Sequence, residues 1–600
     1  MINVIIQEQQ FHSALLFNRA SSISSQHDIF EIEYSVIKQS DREGGNSVSN
    51  KQGSKGNKPS NQGTKLQKNA IRWEVFAPAY LVIGSAAVIG IVNKELLTTS
   101  VMNFFFWSLR NFGWLFQWTI MAAFVFTVIM MFSKYGNIRL GGRNAKPKFS
   151  FGTWFAMTLT GGVATGIVTW GVNEPLIYYG NVWGELNTLG IEANTTQAAI
   201  FAMARSFYNW TFVPYAIYAF CGLLVAYIYF NKRERLAVTS TLKPLFGEKV
   251  TKGLFAGIVD MLAMLGLAIG ITTGITMCIT LVMSGLKGAY GIESSVPLFA
   301  GIGIFIICMF TFSSYVGLEK GLARLGKMNA WFYYFLLALL FVTGPTVYIL
   351  RIGTAGVAEW LQNFFRWGLD PIDIGGEALT MYWTLFDWAF WVGFAPVTGI
   401  FLAMISYGRT IREYMIVNWI LPSIFGIVWF SVWGGSAIHM QTTGAVDLIG
   451  VINEGGAVAA LWAFLDNLPF GLGRIIIPFN IVVVLVSFIT AADATLTNIG
   501  SMCMKDVPIG TEPPAMIKMV WGVALGAVAI VMAAFGGGVQ GVDGVKALAA
   551  ASGFVVLFIF AIQLVSFFKC WFMDRIIEEP DDEPSGDVMM SETLVPVVEE

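Results

Sequence analysis

Long apolar stretches separated by short polar connections run from Val75 to Trp571, and no polar interval inside that range is large enough to be a soluble domain. About 20 apolar residues cross a bilayer as a helix. On that measure the pattern predicts about twelve spanning helices, at roughly 75–95, 113–133, 154–180, 197–230, 252–284, 296–316, 326–350, 381–405, 414–435, 473–497, 516–535 and 545–572. The expected fold class is therefore an all-α integral membrane protein. An even number of spans places both ends on one side. The loops on that side are the basic ones, with Lys134, Arg139, Arg143, Lys146 and Lys148 in a single connection. The positive-inside rule then predicts a multi-pass protein of the plasma (inner) membrane with both termini cytoplasmic.

Outside the transmembrane domain of residues 75–572 the pattern changes. Residues 1–74 are polar, and the Gly/Ser/Asn/Lys-rich stretch from Arg42 to Asn69 cannot bury enough apolar surface to offset its ordering entropy. A disordered cytoplasmic tail is expected. Residues 573–600 form an acidic tail carrying Glu578, Glu579, Asp581, Asp582 and Glu583, a run suited to solvent. The N-terminus lacks a short basic-then-apolar segment, so insertion is expected to use the first spanning helix. Between the seventh and eighth spans, Val357 to Trp367 mixes Trp360, Leu361, Phe364 and Phe365 with Glu359, Gln362 and Arg366. Such a segment suits an amphipathic helix in the membrane interface or against a neighbouring subunit.

Composition narrows the classes. Hydrophobic residues make up 55% and charged residues 13%, against about 25% charged in soluble chains. A net charge of −2 gives no reason to expect nucleic acid. All five cysteines lie in or at the ends of apolar segments, which implies no disulfide framework. Gly321 to Lys327 fits the phosphate-binding GxxxxGK pattern, but Met328 stands where Ser or Thr belongs and no strand precedes it. Neither a nucleophile–base pair nor a metal cluster lies in the spans, so an enzyme is not expected.

The chemistry concentrates in two spans and one partner. In the third, Gly161-Gly162-Val163-Ala164-Thr165-Gly166 is followed by Gly171-Val172-Asn173-Glu174-Pro175. Glycine weakens a helix and proline both removes a donor and clashes with the preceding turn, so a break is expected there. Irregular backbone at membrane depth survives where protein or a water-filled cavity surrounds it, and transporters use such breaks to meet substrates. A GxxxG packing face made by Gly162 and Gly166 is the alternative. The fourth and eighth spans are aromatic, with Tyr208, Trp210, Tyr215 and Tyr218 on one and Trp383, Trp388, Phe390, Trp391 and Phe394 on the other. Ring faces of this kind either cage an ammonium by cation–π attraction or mark the membrane interfaces. Among the ionisable residues inside spans are Glu174, Arg205, Asp260, Asp387 and Asp493. Charges there suggest function, with snorkelling or capping the competing account for Asp260 and Asp387. His439, just beyond the ninth span, has no second histidine nearby.

Several runs resemble the betaine/carnitine/choline transporter family: Trp170 to Pro175, Trp383-Thr384-Leu385-Phe386-Asp387-Trp388-Ala389-Phe390-Trp391, and above all Phe401 to Glu413. Ile138 to Gly141, Leu242 to Gly247, Gly317 to Gly321 and Ile489 to Asp493 add to the likeness, which covers about residues 73–572. The resemblance implies a homotrimer with the leucine-transporter fold: two leading helices, then inverted five-helix repeats at about 154–350 and 381–572. It implies a quaternary-ammonium substrate boxed by Trp210, Tyr215, Tyr218 and Trp391, with Phe390, Phe394 and Trp388 beside it and Gly162, Ala164 and Gly166 lining the broken span. Tyr215, Phe390 and Phe394 stand where betaine carriers commonly have tryptophan. For sodium, the resemblance implies Thr490 and offers Thr165 as compensation, while Ala491, Leu267 and Ile271 replace hydroxyl residues. Exchange or uniport is thus favoured over sodium symport, with sodium the one candidate cofactor. The acidic C-terminal tail departs from the basic helix of osmosensing members. An amino-acid or zwitterion carrier of the same fold and a non-transporting membrane sensor are the rival readings.

Overall fold

The computed structural model describes residues 71–163, 166–316, 323–505, 513–535 and 542–573. Both tails, Ala164 and Thr165, and the run from Gly317 to Gly321 lie outside the described residues. The described residues contain no strand, and two isolated bridges join Ile71 to Met504 and Arg139 to Thr410. In chain order the main helices are α1 (Trp73–Val92), α2 (Lys94–Phe132), α3 (Phe151–Val163), α4 (Gly166–Gly180), α5 (Thr196–Trp210), α6 (Phe212–Ala226), α7 (Gly253–Tyr290), α8 (Val296–Val316) and α9 (Ala323–Thr343). They continue as α10 (Thr346–Leu369), α11 (Phe386–Met404), α12 (Leu421–Thr442), α13 (Leu448–Gly455), α14 (Ala457–Asp466), α15 (Gly473–Met502), α16 (Ala515–Phe535) and α17 (Val542–Phe568).

Among the described residues nine helices are long and apolar enough to cross a membrane, eleven when each bent pair is one span. α1 supplies the remaining expected segment, 20 residues with Pro78 inside it. One bent pair is the third span, where Phe151–Gly161 and Gly166–Gly180 stand at 57°. The other is the eighth, where Glu377–Pro396 and Thr398–Met404 meet at 46°. Pro396 has no N–H to give the preceding turn, which accounts for the second bend. These are the third and the eighth spans of the pattern read in the sequence. Between them lies α6, buried at every residue from Val213 to Ala226, as a helix apolar on all sides must be.

Several boundaries differ from those read in the sequence. The second helix begins at Lys94 and its apolar span at Thr99 rather than near 113, because Val101 to Phe112 continues the apolar helix and its one charge, Arg110, pairs with Glu377 at 2.9 Å. The seventh span ends at Thr343, since Gly344-Pro345 interrupts it, and the amphipathic segment belongs to the 24-residue α10. α10 buries Trp360 and Phe364 while leaving Leu361 and Phe365 exposed. The fourth span, read as one helix over 197–230, is divided at Thr211 (φ −126°, ψ −115°) into α5 and α6. His439 falls within the last turn of α12, its ring 5.1 Å from that of Tyr348. Pro175 sits inside α4 without ending it. Two helices, α13 and α14, fill the connection before α15 where none was expected; α14 presses Trp462 onto α7 beside Gly285.

Most charges inside the spans are answered locally. Asp260 on α7 pairs with Arg72 at 2.8 Å and accepts from the Thr239 backbone at 3.1 Å. Snorkelling does not account for it, because Arg72 is brought to the buried carboxylate beside the Ile71–Met504 bridge; capping does in part, since the N–H it accepts from opens the short 3-10 turn Thr239–Leu242. Asp493 accepts from Ser313 at 2.7 Å. The Arg205 guanidinium lies 4.8 Å over Trp367 and 5.5 Å over Tyr208, and it donates to Thr384.

Candidate functional site

The two bent spans and α5–α6 converge on a cavity of about 600 Å³. Its wall on the third span includes Gly161 and Gly166, both placed where a side chain would collide. A Cβ at Gly166 would stand 3.0 Å from the Trp210 ring, and one at Gly161 would stand 2.5 Å from the Phe401 ring. Glycine here lets the bent helix bring its backbone against the aromatic wall. Gly162 lies in α3, while Ala164 falls outside the described residues.

That wall is organised around Trp391. Its ring centroid lies 4.9 Å from Tyr218, 5.8 Å from Tyr215 and 5.8 Å from Trp210, the last in an edge-on arrangement at 81°. Trp210, Tyr218 and Trp391 line the cavity, joined by Phe390 and Phe394, whose rings are 4.9 Å apart. Tyr215 braces Trp391 and is buried. Trp388 turns to the other side of α11, fully buried against Tyr208 at 5.9 Å. The helical period explains the division: positions 387, 390, 391 and 394 share one face of α11, and 388 does not.

Glu174 fixes this wall in place. One carboxylate oxygen accepts from the Trp210 indole N–H at 2.5 Å, and the other from the Asn209 amide at 2.8 Å and the Tyr178 hydroxyl at 3.2 Å. Asn209 also donates to the Tyr178 oxygen at 2.9 Å. Because the indole hydrogen bond fixes the orientation of its ring, a carboxylate on one bent span sets the pose of an aromatic on α5.

Toward the loop that follows α4, further rings close over the cavity. Trp183 stacks on Trp383 at 5.4 Å and 20°, with Trp170 edge-on to Trp383 at 6.0 Å. Glu185 ties them together, accepting from the Trp383 indole at 3.0 Å and from the Trp183 backbone at 3.0 Å. Burial pushes the Glu185 carboxyl above its ordinary value of 4.5. Trp183 escaped the sequence reading because it sits in the loop after α4, and Tyr382 because nothing in the sequence separates it from the other aromatics of the eighth span. Met102 and Phe106 did so because they belong to the early part of α2, which had been read as loop; both line the cavity.

The sodium candidates are less well placed. Thr490 donates to its own helix at Val486 O, 2.7 Å away. Ala491 and Ile271 line the cavity and Leu267 is buried, but none of their side chains offers an oxygen. A hard cation needs several oxygens at once. Thr165 lies outside the described residues. No group of three or more His, Cys, Asp or Glu residues able to hold a metal is present among the described residues.

The family model described as "BCCT, betaine/carnitine/choline family transporter" matches residues 74–575. Among curated relatives, the ectoine/hydroxyectoine transporter of Virgibacillus pantothenticus is 27% identical, over 79% of this chain and 92% of its own length. The glycine betaine transporter OpuD of Bacillus subtilis is 29% identical, over 83% of this chain and 93% of its own length. Glycine betaine transporter 1 of Vibrio parahaemolyticus is 31% identical, over 76% of this chain and 85% of its own length. With two bent spans around an aromatic cavity, and with a family match that takes in every described helix from α2 to α17, the chain belongs to the betaine/carnitine/choline family of transporters.

Proposed function

We propose that this chain carries a quaternary-ammonium compound (glycine betaine, carnitine, choline or similar) across the plasma membrane by alternating access. The observation that carries the reading is the set of ring faces, Trp210, Tyr218 and Trp391, on a cavity between two bent spans. A quaternary ammonium has no N–H to donate and loses its loosely held water at small cost, so aromatic faces are its natural host. The trimethylammonium end sits in the box, with Tyr215 holding Trp391 from behind. The other end of the substrate meets the bent third span at Gly162, Ala164 and Gly166. The Trp183–Trp383 stack closes one route to the box, and the two halves rock about the site to open the other.

One feature supports exchange or uniport over sodium symport: Ala491, Leu267 and Ile271 supply no side-chain oxygen. The basic loops support cytoplasmic termini. The assembly we expect is a homotrimer. The test is uptake by purified protein in liposomes, using a panel of ammonium and amino-acid solutes with and without a sodium gradient. Uptake of an ammonium solute that ignores the gradient is the expected result. Uptake of proline but of no ammonium solute would overturn the substrate class, and strict dependence on sodium would overturn the coupling.

A further inference from the structure

Two rings from different stretches of chain cover the mouth of the cavity. Trp183 lies in the loop after α4 and is 51% exposed, whereas Trp383 lies on a π-helical segment, Glu377–Leu385, that leads into α11, and is 5% exposed. Both line the cavity and their rings are stacked. Trp183 is thus the outer leaf of the cover and Trp383 the inner one.

The loop is folded so as to turn one acid back onto this pair. Asn181 adopts a left-handed backbone (φ 52°), and its side chain accepts from the Leu186 N–H at 2.8 Å and donates to Asn187 at 2.8 Å. Gly184 (φ 89°) makes a second such turn, where a side chain would be strained. Between these bonds Glu185 points inward and is fully buried. One of its carboxyl oxygens accepts from the Trp383 indole and the other from the Trp183 backbone, each at 3.0 Å. A second link across the same junction, from the Thr188 hydroxyl to the Gly375 carbonyl, is stretched to 3.5 Å, longer than an ordinary hydrogen bond. Glu185 lies behind the rings, which themselves form the cavity wall.

Burying a carboxyl costs free energy unless its oxygens are bonded, and an apolar side chain would fill the same space without that cost. What an apolar side chain would not do is hold two groups that part and meet again. With the rings stacked, both oxygens are satisfied by protein. With the rings apart, water satisfies the same groups, so the net cost of parting is small.

We infer that Glu185 is a positioning residue for transport: by holding Trp183 on Trp383 it sets the rate at which solute enters and leaves the cavity past these rings, without touching the solute. The inference rests on the aromatic-cavity reading above. A group that holds a cover slows entry and exit alike and leaves affinity nearly unchanged. A group that touches the solute changes chiefly the off-rate.

Association and dissociation rates of radiolabelled choline and of radiolabelled glycine betaine on the purified full chain test this. Glu185→Ala is expected to raise both rates on the order of tenfold, the scale of losing two ordinary hydrogen bonds, with the dissociation constant within about threefold of wild type. Glu185→Gln, which keeps an acceptor for one of the two N–H groups, should fall between. Trp183→Ala, a truncation at a half-exposed position, should raise both rates as well. Glu185→Ala added to it should then add little, because residues that act through one contact are not additive. Unchanged rates in folded Glu185 variants overturn the inference, as do an affinity loss carried by the off-rate alone and a full effect of Glu185→Ala in the Trp183→Ala background. If Glu185→Ala does not fold, Glu185→Gln and Trp183→Ala decide by the same rates. Binding of neither solute to folded wild-type protein overturns the aromatic-cavity reading, and this inference with it.

Discussion

Replacing Trp391 by alanine removes the ring that touches each of the other three aromatics of the box. Its centroid is 4.9–5.8 Å from Tyr218, Tyr215 and Trp210, and it is 5% exposed. A desolvated cation–π contact contributes about 2 kcal/mol. At about 1.4 kcal/mol per tenfold in affinity, the loss predicts roughly 30-fold weaker binding. Truncating a buried tryptophan to alanine also costs about 3–5 kcal/mol of stability, so the variant must be shown to be monodisperse before titration. Trp391→Phe separates the two effects, because it keeps a π face and most of the volume; it should bind within about fivefold of wild type. The assay is equilibrium binding of a radiolabelled ammonium solute to detergent-purified protein. Undiminished affinity in a folded Trp391→Ala protein, for every ammonium solute that the wild type binds, refutes the reasoning.

Glu174→Gln keeps one acceptor oxygen but opposes an N–H donor with an amide, losing a charge-assisted bond worth about 1.5–3 kcal/mol. It should be less stable than wild type and bind more weakly, with Glu174→Ala worse on both counts in thermal unfolding and titration; two variants that both match wild type would contradict the assigned role. Removing Arg72 alone leaves the Asp260 charge buried, at a cost of about 3–5 kcal/mol. Arg72→Met combined with Asp260→Asn should recover most of that in thermal unfolding, and a double variant no better than the single one would argue against the pair. Because burial raises the Glu185 carboxyl above 4.5, its contribution to stability is fully present below that pH and is lost as pH rises through the raised value. Glu185→Gln should therefore flatten the fall in melting temperature on the alkaline side of pH 4.5, and an unaltered pH profile would exclude that contribution.

What the sequence made legible followed from strong periodic signals. Apolar runs located the spans, and the glycines from Gly161 to Gly166 located the bend because helix weakness there has a local cause. Where local and tertiary causes compete, the reading erred. Pro175 reads as a break yet is carried inside α4, its surroundings packed by Gly434 of α12. Pro396 does accompany a bend, although nothing near it in sequence distinguishes it from Pro175. Trp388 and Trp391 are the same residue type in one apolar run; only the angular position on α11 sends one to the cavity and the other to Tyr208. Asp387 was visible as a charge in a span, but its direction depended on the π-helical entry to α11, which no composition reveals. The closing rings lay in a loop and in the early part of α2, where aromatic residues look the same as interface anchors.

The account rests on a positive charge being held by ring faces, and charge can be varied alone. Choline and its neutral carbon analogue, 3,3-dimethylbutan-1-ol, have nearly the same shape and differ in one full charge. Titrated against the wild-type protein, choline should bind about 30-fold or more tightly than the carbon analogue, the factor expected of one or more desolvated cation–π contacts. Equal affinities for the two would mean that the cavity recognises only a greasy shape, which contradicts the central claim.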